Sequence, residues 1–206
     1  MTILLVAITS IISVIAFNRH ELFNKLQLNP YATYHKKEWY RIVSHGFLHA
    51  DWVHLFVNMF VLFSFGRVVE SIFKQLAYEG IIKSPVLTFV ILYFGSMIMA
   101  TITTIKKQKD NQWYNSVGAS GAVSAVIFTS IFFQPLANLY FYAVIPIPGI
   151  VFGILYLAYS HYMSKRGGDN INHDAHFIGA VFGFLFPILL EPKLFFVFIN
   201  QLLSIF

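Results

Sequence analysis

Residues 85–105 read PVLTFVILYFGSMIMATITTI, a run without one charged side chain that is closed by Lys106, Lys107, Lys109 and Asp110. A helix needs about 20 largely apolar residues to cross the hydrocarbon of a bilayer. This stretch satisfies the requirement and predicts a transmembrane helix over Pro85 to Ile105. The rest of the chain is of the same character. Of its 206 residues 57% are hydrophobic and 11% charged, phenylalanine occurs 23 times, and the mean hydropathy is +0.67. A soluble domain of this length cannot hide so much apolar surface, so lipid is part of its solvent.

Working outward from that segment, further windows qualify. Thr2 to Phe17 is short; it has no basic residues before it and no small-residue cleavage site, so it reads as a retained span rather than a secretory signal. A polar stretch from Asn18 to about His45 follows, a long first loop whose Tyr34, Trp39 and Tyr40 suit the water–lipid boundary, so that it lies partly in the interface. The second window runs from about Ala50 to Gly66, with Asp51, His54 and Asn58 obliged to face protein or water. A charged connection with Arg67, Glu70, Lys74, Glu79 and Lys83 leads to the Pro85–Ile105 span. After Asp110 no Asp, Glu, Lys or Arg appears before Lys165. Pro135, Pro146, Pro148 and Gly149 divide this run, because proline lacks a backbone donor and clashes with the preceding turn. The division predicts a fourth span from about Ala119 to Phe133 and a fifth from about Pro148 to Met163. Lys165 to Asp169 is a solvated turn, His173 to Leu190 a sixth span, and the apolar tail, Lys193 to Phe206, is too short to cross. The expected fold is an all-α membrane protein, a six-helix bundle forming one polytopic domain over 1–206, without repeats.

Cysteine is absent, which excludes disulfides, thiolate nucleophiles and cysteine-ligated metals. The formal net charge of +5 comes from loop Lys and Arg suited to anionic headgroups, so the lipid bilayer rather than nucleic acid is the expected partner.

Three constellations carry chemistry. In Ser116-Val117-Gly118-Ala119-Ser120-Gly121-Ala122 a serine flanked by glycines stands where a loop enters a helix. Such a serine often serves only as an N-cap, but glycines admit close backbone, and free N–H groups at a helix start suit a developing oxyanion. His176 shares a face with Gly179, Ala180 and Gly183, and Gly121, Ala122 and Ala125 make a matching small face on the fourth span. If those faces pack, Ser120 and His176 meet as nucleophile and base; otherwise His176 is a buried structural histidine. The third set is His45, His49, His54 and Asn58. His54 and Asn58 lie one turn apart and could donate to an oxyanion, whereas His45, His49 and His54 could instead ligate a metal for a membrane hydrolase, although no HExxH or carboxylate accompanies them.

In this order the three sets, HxxxN on the second span, GASG on the fourth and AHxxGxxxG on the sixth, resemble the rhomboid family of intramembrane serine proteases, over most of the chain from about Trp39 to Gly183. The resemblance implies a Ser/His dyad with Ser120 as nucleophile, His176 as base and no third acid, so that Asp174 is not needed. It implies oxyanion-stabilising roles for His54 and Asn58 and close packing at Gly118, Gly121, Gly179 and Gly183. No cofactor and no metal are implied. Expected substrates are single-span transmembrane proteins, cleaved through an acyl-enzyme. Trp39-Tyr40-Arg41 resembles the family's tryptophan and arginine region with one residue inserted, and Glu70 a structural acid near the end of the second helix. Two departures stand out. The family often carries a tyrosine four residues after the nucleophile, against which the base stacks, where this chain has Ser124, so something else must orient His176. The family topology, in a bacterial cytoplasmic membrane with the site opening toward the outer face, also puts most Lys and Arg outside, against the positive-inside tendency. Oligomeric state is open. A non-catalytic rhomboid-like protein that binds helices is the main rival; a transporter is disfavoured by the lack of acidic pairs within the spans.

Overall fold

The computed structural model describes residues 1–141, 144–169 and 171–204. Its element order is α1 (Thr2–Phe17), α2 (His20–Leu26), α3 (Pro30–His35), α4 (Arg41–Ser44), a 3-10 turn (His45–Phe47), α5 (Trp52–Tyr78), α6 (Pro85–Gln108), α7 (Ser120–Phe133), β1 (Asn138–Phe141), β2 (Ile145–Pro148), α8 (Gly149–Arg166), α9 (His173–Leu190) and α10 (Leu194–Leu203). Among the described residues α5, α6 and α9 are long and apolar enough to cross a membrane, while α1, α7 and α10 are shorter apolar helices.

The helices turn their bulk outward. On α1 the buried positions Thr2, Leu5, Thr9, Ser13 and Ala16 recur every three or four residues, whereas Ile3, Leu4 and Ile11 are exposed. On α5 Val53, Phe56, Val57 and Phe60 are exposed, with Asn58 and Gly66 turned inward. In water such faces would aggregate. In lipid the tails solvate large side chains, and small or hydroxylated residues bring helices together. At the centre stands α7, where every residue from Gly121 to Phe133 is buried.

Several boundaries differ from the sequence reading. The second helix continues to Tyr78 and absorbs Arg67, Glu70 and Lys74, where hydropathy places a charged connection. Hydropathy stops at the first charge, but the buried stripe Leu62, Gly66, Val69, Phe73 and Leu76 keeps its helical spacing beyond it. The third helix likewise runs on to Gln108, which sets Lys106 and Lys107 in its last turn beside the free carbonyls. The fifth begins at Gly149 and reaches Arg166, ending at Gly167 with φ +63°. The proline-rich break at 134–148 contains an antiparallel pair, Asn138 opposite Pro148 and Phe141 opposite Ile145, which alternation did not reveal. The first loop is also folded, into α2, α3 and α4. In the tail, α10 packs Phe198 flat on Phe132 of α7, with ring centroids 5.3 Å apart; the last two residues of that segment lie outside the described ones.

Candidate active site

The segment entering α7 is held by the first loop from three directions. Leu28 and Ser116 exchange two backbone hydrogen bonds, of 3.0 and 2.9 Å, and the Gly118 N–H donates to the carbonyl of His45 at 3.0 Å. Asn29 caps α3 by accepting from the Ala32 N–H, and its Nδ2 donates to the carbonyls of Gln112 and Tyr114 at 3.0 and 3.2 Å. Arg41 in turn anchors the loop itself. Its guanidinium, nearly buried, donates to the Glu38 carboxylate at 2.6 Å and to the carbonyls of Asn24 and Gln27 at 2.8 and 2.6 Å. Arg41 holds the Glu38 carboxyl below the usual carboxylate range.

Gly118 has φ +117°, a conformation that residues with a Cβ avoid, and any Cβ there would meet His54, 3.1 Å from its Nε2. That imidazole stands directly against the loop. The Ala50 N–H donates to His54 Nδ1 at 3.4 Å, which leaves Nε2 to carry the proton of the neutral ring and face the loop as a donor. Asp51 caps α5 by accepting from the His54 N–H at 2.8 Å. Asn58, buried one turn on, donates Nδ2 to the His54 carbonyl at 3.0 Å. Ser120 opens α7, where Ala119 provides no side-chain cap, so the first N–H groups of the helix are free of intrahelical partners.

Between α7 and α9 the approach is backbone to backbone. A Cβ at Gly179 would come within 2.8 Å of the Gly121 carbonyl carbon, one at Gly183 within 2.6 Å of that of Ala125, and one at Gly121 within 3.2 Å of the Ala175 carbonyl oxygen. The Thr129 hydroxyl adds a 2.8 Å bond to the Gly183 carbonyl. Ser120 and His176 thus lie in the first turns of two helices that meet backbone to backbone at Gly121 and Gly179. Among the described residues no hydrogen bond joins Ser120 Oγ to His176 in this resting arrangement; bonds of this kind often tighten only on a bound substrate. A small cleft beside Ser120 is lined by Thr101, Thr104, Ser116, Gly118 and Asn172.

His176 has two ring neighbours. Tyr156 of α8 lies nearly parallel to it, with centroids 6.3 Å apart and planes at 22°. His173 meets it edge-on at 5.9 Å, and its own Nε2 is 3.0 Å from the Asp169 carboxylate. Asp174 points elsewhere, bound to Lys107 at 2.7 Å.

The other histidines of the first loop serve different partners. His45 Nδ1 donates to the Arg41 carbonyl at 2.8 Å. The Ser13 hydroxyl donates to the Phe47 carbonyl, so its lone pairs receive the Nδ1–H of His49 at 3.0 Å. Burial pushes His45 down to about 4 and His49 to about 3, so both are neutral at physiological pH. Their bonded nitrogens are turned to separate backbone and hydroxyl partners, and among the described residues no three metal-binding side chains converge. At the far end of α5, Glu70 accepts the Thr2 N–H at 2.8 Å, which ties the start of α1 to α5.

Sequence reasoning did not single out Leu28, Asn29 or Tyr156. Their contacts to the site reach across 20 to 88 residues of chain and leave no local pattern. Arg41 was noticed only through its family resemblance.

The Rhomboid domain family model matches residues 36–193, about three quarters of the chain. The chain belongs to the rhomboid family. This rhomboid is 29% identical over 143 residues to "RHOMBOID-like protein 12, mitochondrial" of Arabidopsis thaliana, a match covering 68% of the chain and 43% of the plant protein. It is also 29% identical over 156 residues to "Putative rhomboid protease YdcA" of Bacillus subtilis (strain 168), covering 76% of the chain and 69% of that protein. The match thus takes in less than half the length of the plant relative. With its apolar helices the rhomboid is an integral membrane protein, and the family's activity is intramembrane proteolysis of transmembrane substrates.

Proposed function

We propose that this rhomboid is a serine-type intramembrane endopeptidase in which Ser120 attacks the scissile carbonyl and His176 accepts its proton. One observation carries the reading: at Gly179 and Gly121 the helix that begins with Ser120 and the helix that bears His176 meet backbone to backbone. Among the described residues no carboxylate bonds His176, Asp174 being committed to Lys107, which favours a dyad over a triad. In the tetrahedral intermediate the oxyanion accepts from the Ser120 N–H, His54 Nε2–H and an Asn58 amide N–H. The protonated His176 then gives its proton to the leaving amine. Water, held beside the polar wall of Thr101, Thr104 and Asn172, loses a proton to His176 and releases the acyl-enzyme. No metal or cofactor takes part.

The substrate is a single-span helix that unwinds near the outer leaflet, since a hydrogen-bonded helix shields its carbonyls and lipid cannot satisfy freed ones. We read the chain as one domain with six spans, α1, α5, α6, α7, α8 and α9, and α2 to α4 in the interface. The site opens toward the outer face of a bacterial cytoplasmic membrane.

The test is cleavage of a reporter transmembrane substrate by purified protein, with a serine-directed fluorophosphonate mapped to its modified residue. Ser120→Ala and His176→Ala are expected to abolish turnover, and Asn58→Ala to lower the rate by roughly 10²- to 10³-fold. Turnover equal to wild type in either dyad variant, or modification at another serine, refutes the assignment. A folded wild type that binds transmembrane helices but takes up no phosphonate would instead be a non-catalytic rhomboid-like binder.

A further inference from the structure

We propose that Tyr156, contributed by α8 and tethered by Ser124, is the positioning residue that aims His176. The inference rests on the dyad reading above and adds to it the means by which the imidazole is oriented. A histidine side chain has a broad, roughly two-fold torsion about its ring bond. A general base, however, needs one ring nitrogen directed at one hydroxyl. Something must remove that freedom. The Tyr156 ring lies nearly parallel to His176, with centroids 6.3 Å apart and planes at 22°, within the spacing at which aromatic rings attract one another.

That ring is itself fixed. Its hydroxyl is 2.6 Å from Ser124 Oγ, and Phe128 and Phe152 pack on it at 5.6 and 5.8 Å. Ser124 is buried and stands one turn beyond Ser120 on the same face of α7. The two dyad members are therefore registered through a short path: Ser120 to Ser124 along one helix turn, Ser124 to Tyr156 by a hydrogen bond, and Tyr156 to His176 by ring contact. A tyrosine at position 124 would supply such a ring from α7 itself. Here α7 supplies only the hydroxyl, and the ring comes from the neighbouring helix. Because few residues of α8 are buried, Gly149, Gly153 and Ser160, the Ser124–Tyr156 bond is a principal polar tie from this helix to α7. A shift of α8 relative to α7 thus alters the aim of the base.

The experiment uses the full chain in detergent, with Tyr156→Leu, Tyr156→Phe, Ser124→Ala and the Ser124→Ala/Tyr156→Phe double variant. Active sites are counted by phosphonate titration, so kcat refers to folded enzyme only. Tyr156→Leu is expected to lower kcat at least about 30-fold with KM within about threefold, and to slow phosphonate modification of Ser120 in parallel. Tyr156→Phe keeps the ring and loses the tether, so it recovers most of that loss. Ser124→Ala should match it, and the double variant should be no worse than either single change, since both remove one bond. A role in packing alone would lower the thermal midpoint and the number of titratable sites, but leave kcat per site and its pH profile where they were. That outcome, or additive effects in the double variant, overturns the proposal. Failure of the wild type itself to be modified at Ser120 points instead to failure of the dyad reading, and removes this one with it.

Discussion

Replacing Gly179 by alanine adds one methyl group at the point where α9 meets α7. The new carbon would lie 2.8 Å from the Gly121 carbonyl carbon and 3.0 Å from its Cα. Carbon atoms rest about 3.5 to 4.0 Å apart, so the helices must part by about 1 Å or more, and these obstacles, with the Gly121 carbonyl oxygen that lies closer still, are backbone that no rotamer change can move. Overpacking of this kind costs about 1 to 3 kcal/mol of stability. The larger effect is on the reaction, because a misplacement of about 1 Å between reacting groups costs about 10²-fold in rate. Gly179→Ala is therefore expected to lower kcat about 100-fold on a reporter transmembrane substrate, with KM changed little, in protein that still elutes as a monodisperse species in detergent. Gly95→Ala is the control. Its methyl meets only the far edge of the Phe182 ring, at 3.3 Å, which can swing aside, and its kcat should stay within about threefold of wild type. A Gly179→Ala enzyme with kcat within threefold of wild type would refute the argument that backbone contact sets the dyad.

Three further outcomes are expected. His45, neutral and buried, has its pKa lowered from about 6.5 to about 4. The unfolded chain takes up a proton first as the solution is acidified, so the stability from neutral His45 is complete above about pH 6.5. It is lost as pH falls toward 4, at up to about 1.4 kcal/mol per unit. Thermal midpoints in detergent should decline over that interval, more steeply in wild type than in His45→Gln, with buried His49 accounting for slope that remains. Equal slopes would show that His45 is not the group responsible. Arg41→Ala removes the donors to the Asn24 and Gln27 carbonyls and the partner of the part-exposed Glu38 carboxylate; a loss of about 1 to 3 kcal/mol is expected, read as a drop in the denaturation midpoint, with Arg41→Lys recovering little because it cannot reproduce the fork. An Arg41→Ala midpoint equal to wild type would refute the anchoring role. Asp174→Asn breaks only a partly exposed pair with Lys107 and should keep kcat within threefold; a hundredfold loss would show that an acid does take part.

How much of this could be read in advance depended on the range of the interaction. The Pro85–Ile105 and His173–Leu190 spans were legible because solvation by lipid acts on each residue separately and leaves its mark in composition. Helix ends were less so: hydropathy stops α5 at Gly66, but the buried stripe through Val69, Phe73 and Leu76 carries it to Tyr78. The hairpin at 138–148 escaped notice because prolines announce a break and say nothing of what fills it. In the candidate site, Ser120, His176, His54 and Asn58 drew attention as polar side chains amid apolar ones, at spacings that a single helix turn explains.

By itself the sequence determined the solvent and narrowed the chemistry on hand: a chain this apolar must live in lipid, and one without cysteine has no thiolate chemistry. What only tertiary structure decided was which distant groups meet. Leu28 binds Ser116, Arg41 gathers the carbonyls of its own loop, and Tyr156 reaches from α8 to lie beside the His176 ring while bonding Ser124. The reason is physical. Transfer into lipid is a sum over single residues and can be added up along the chain, whereas a hydrogen bond or a ring contact belongs to a pair and exists only once the fold has closed the distance between them.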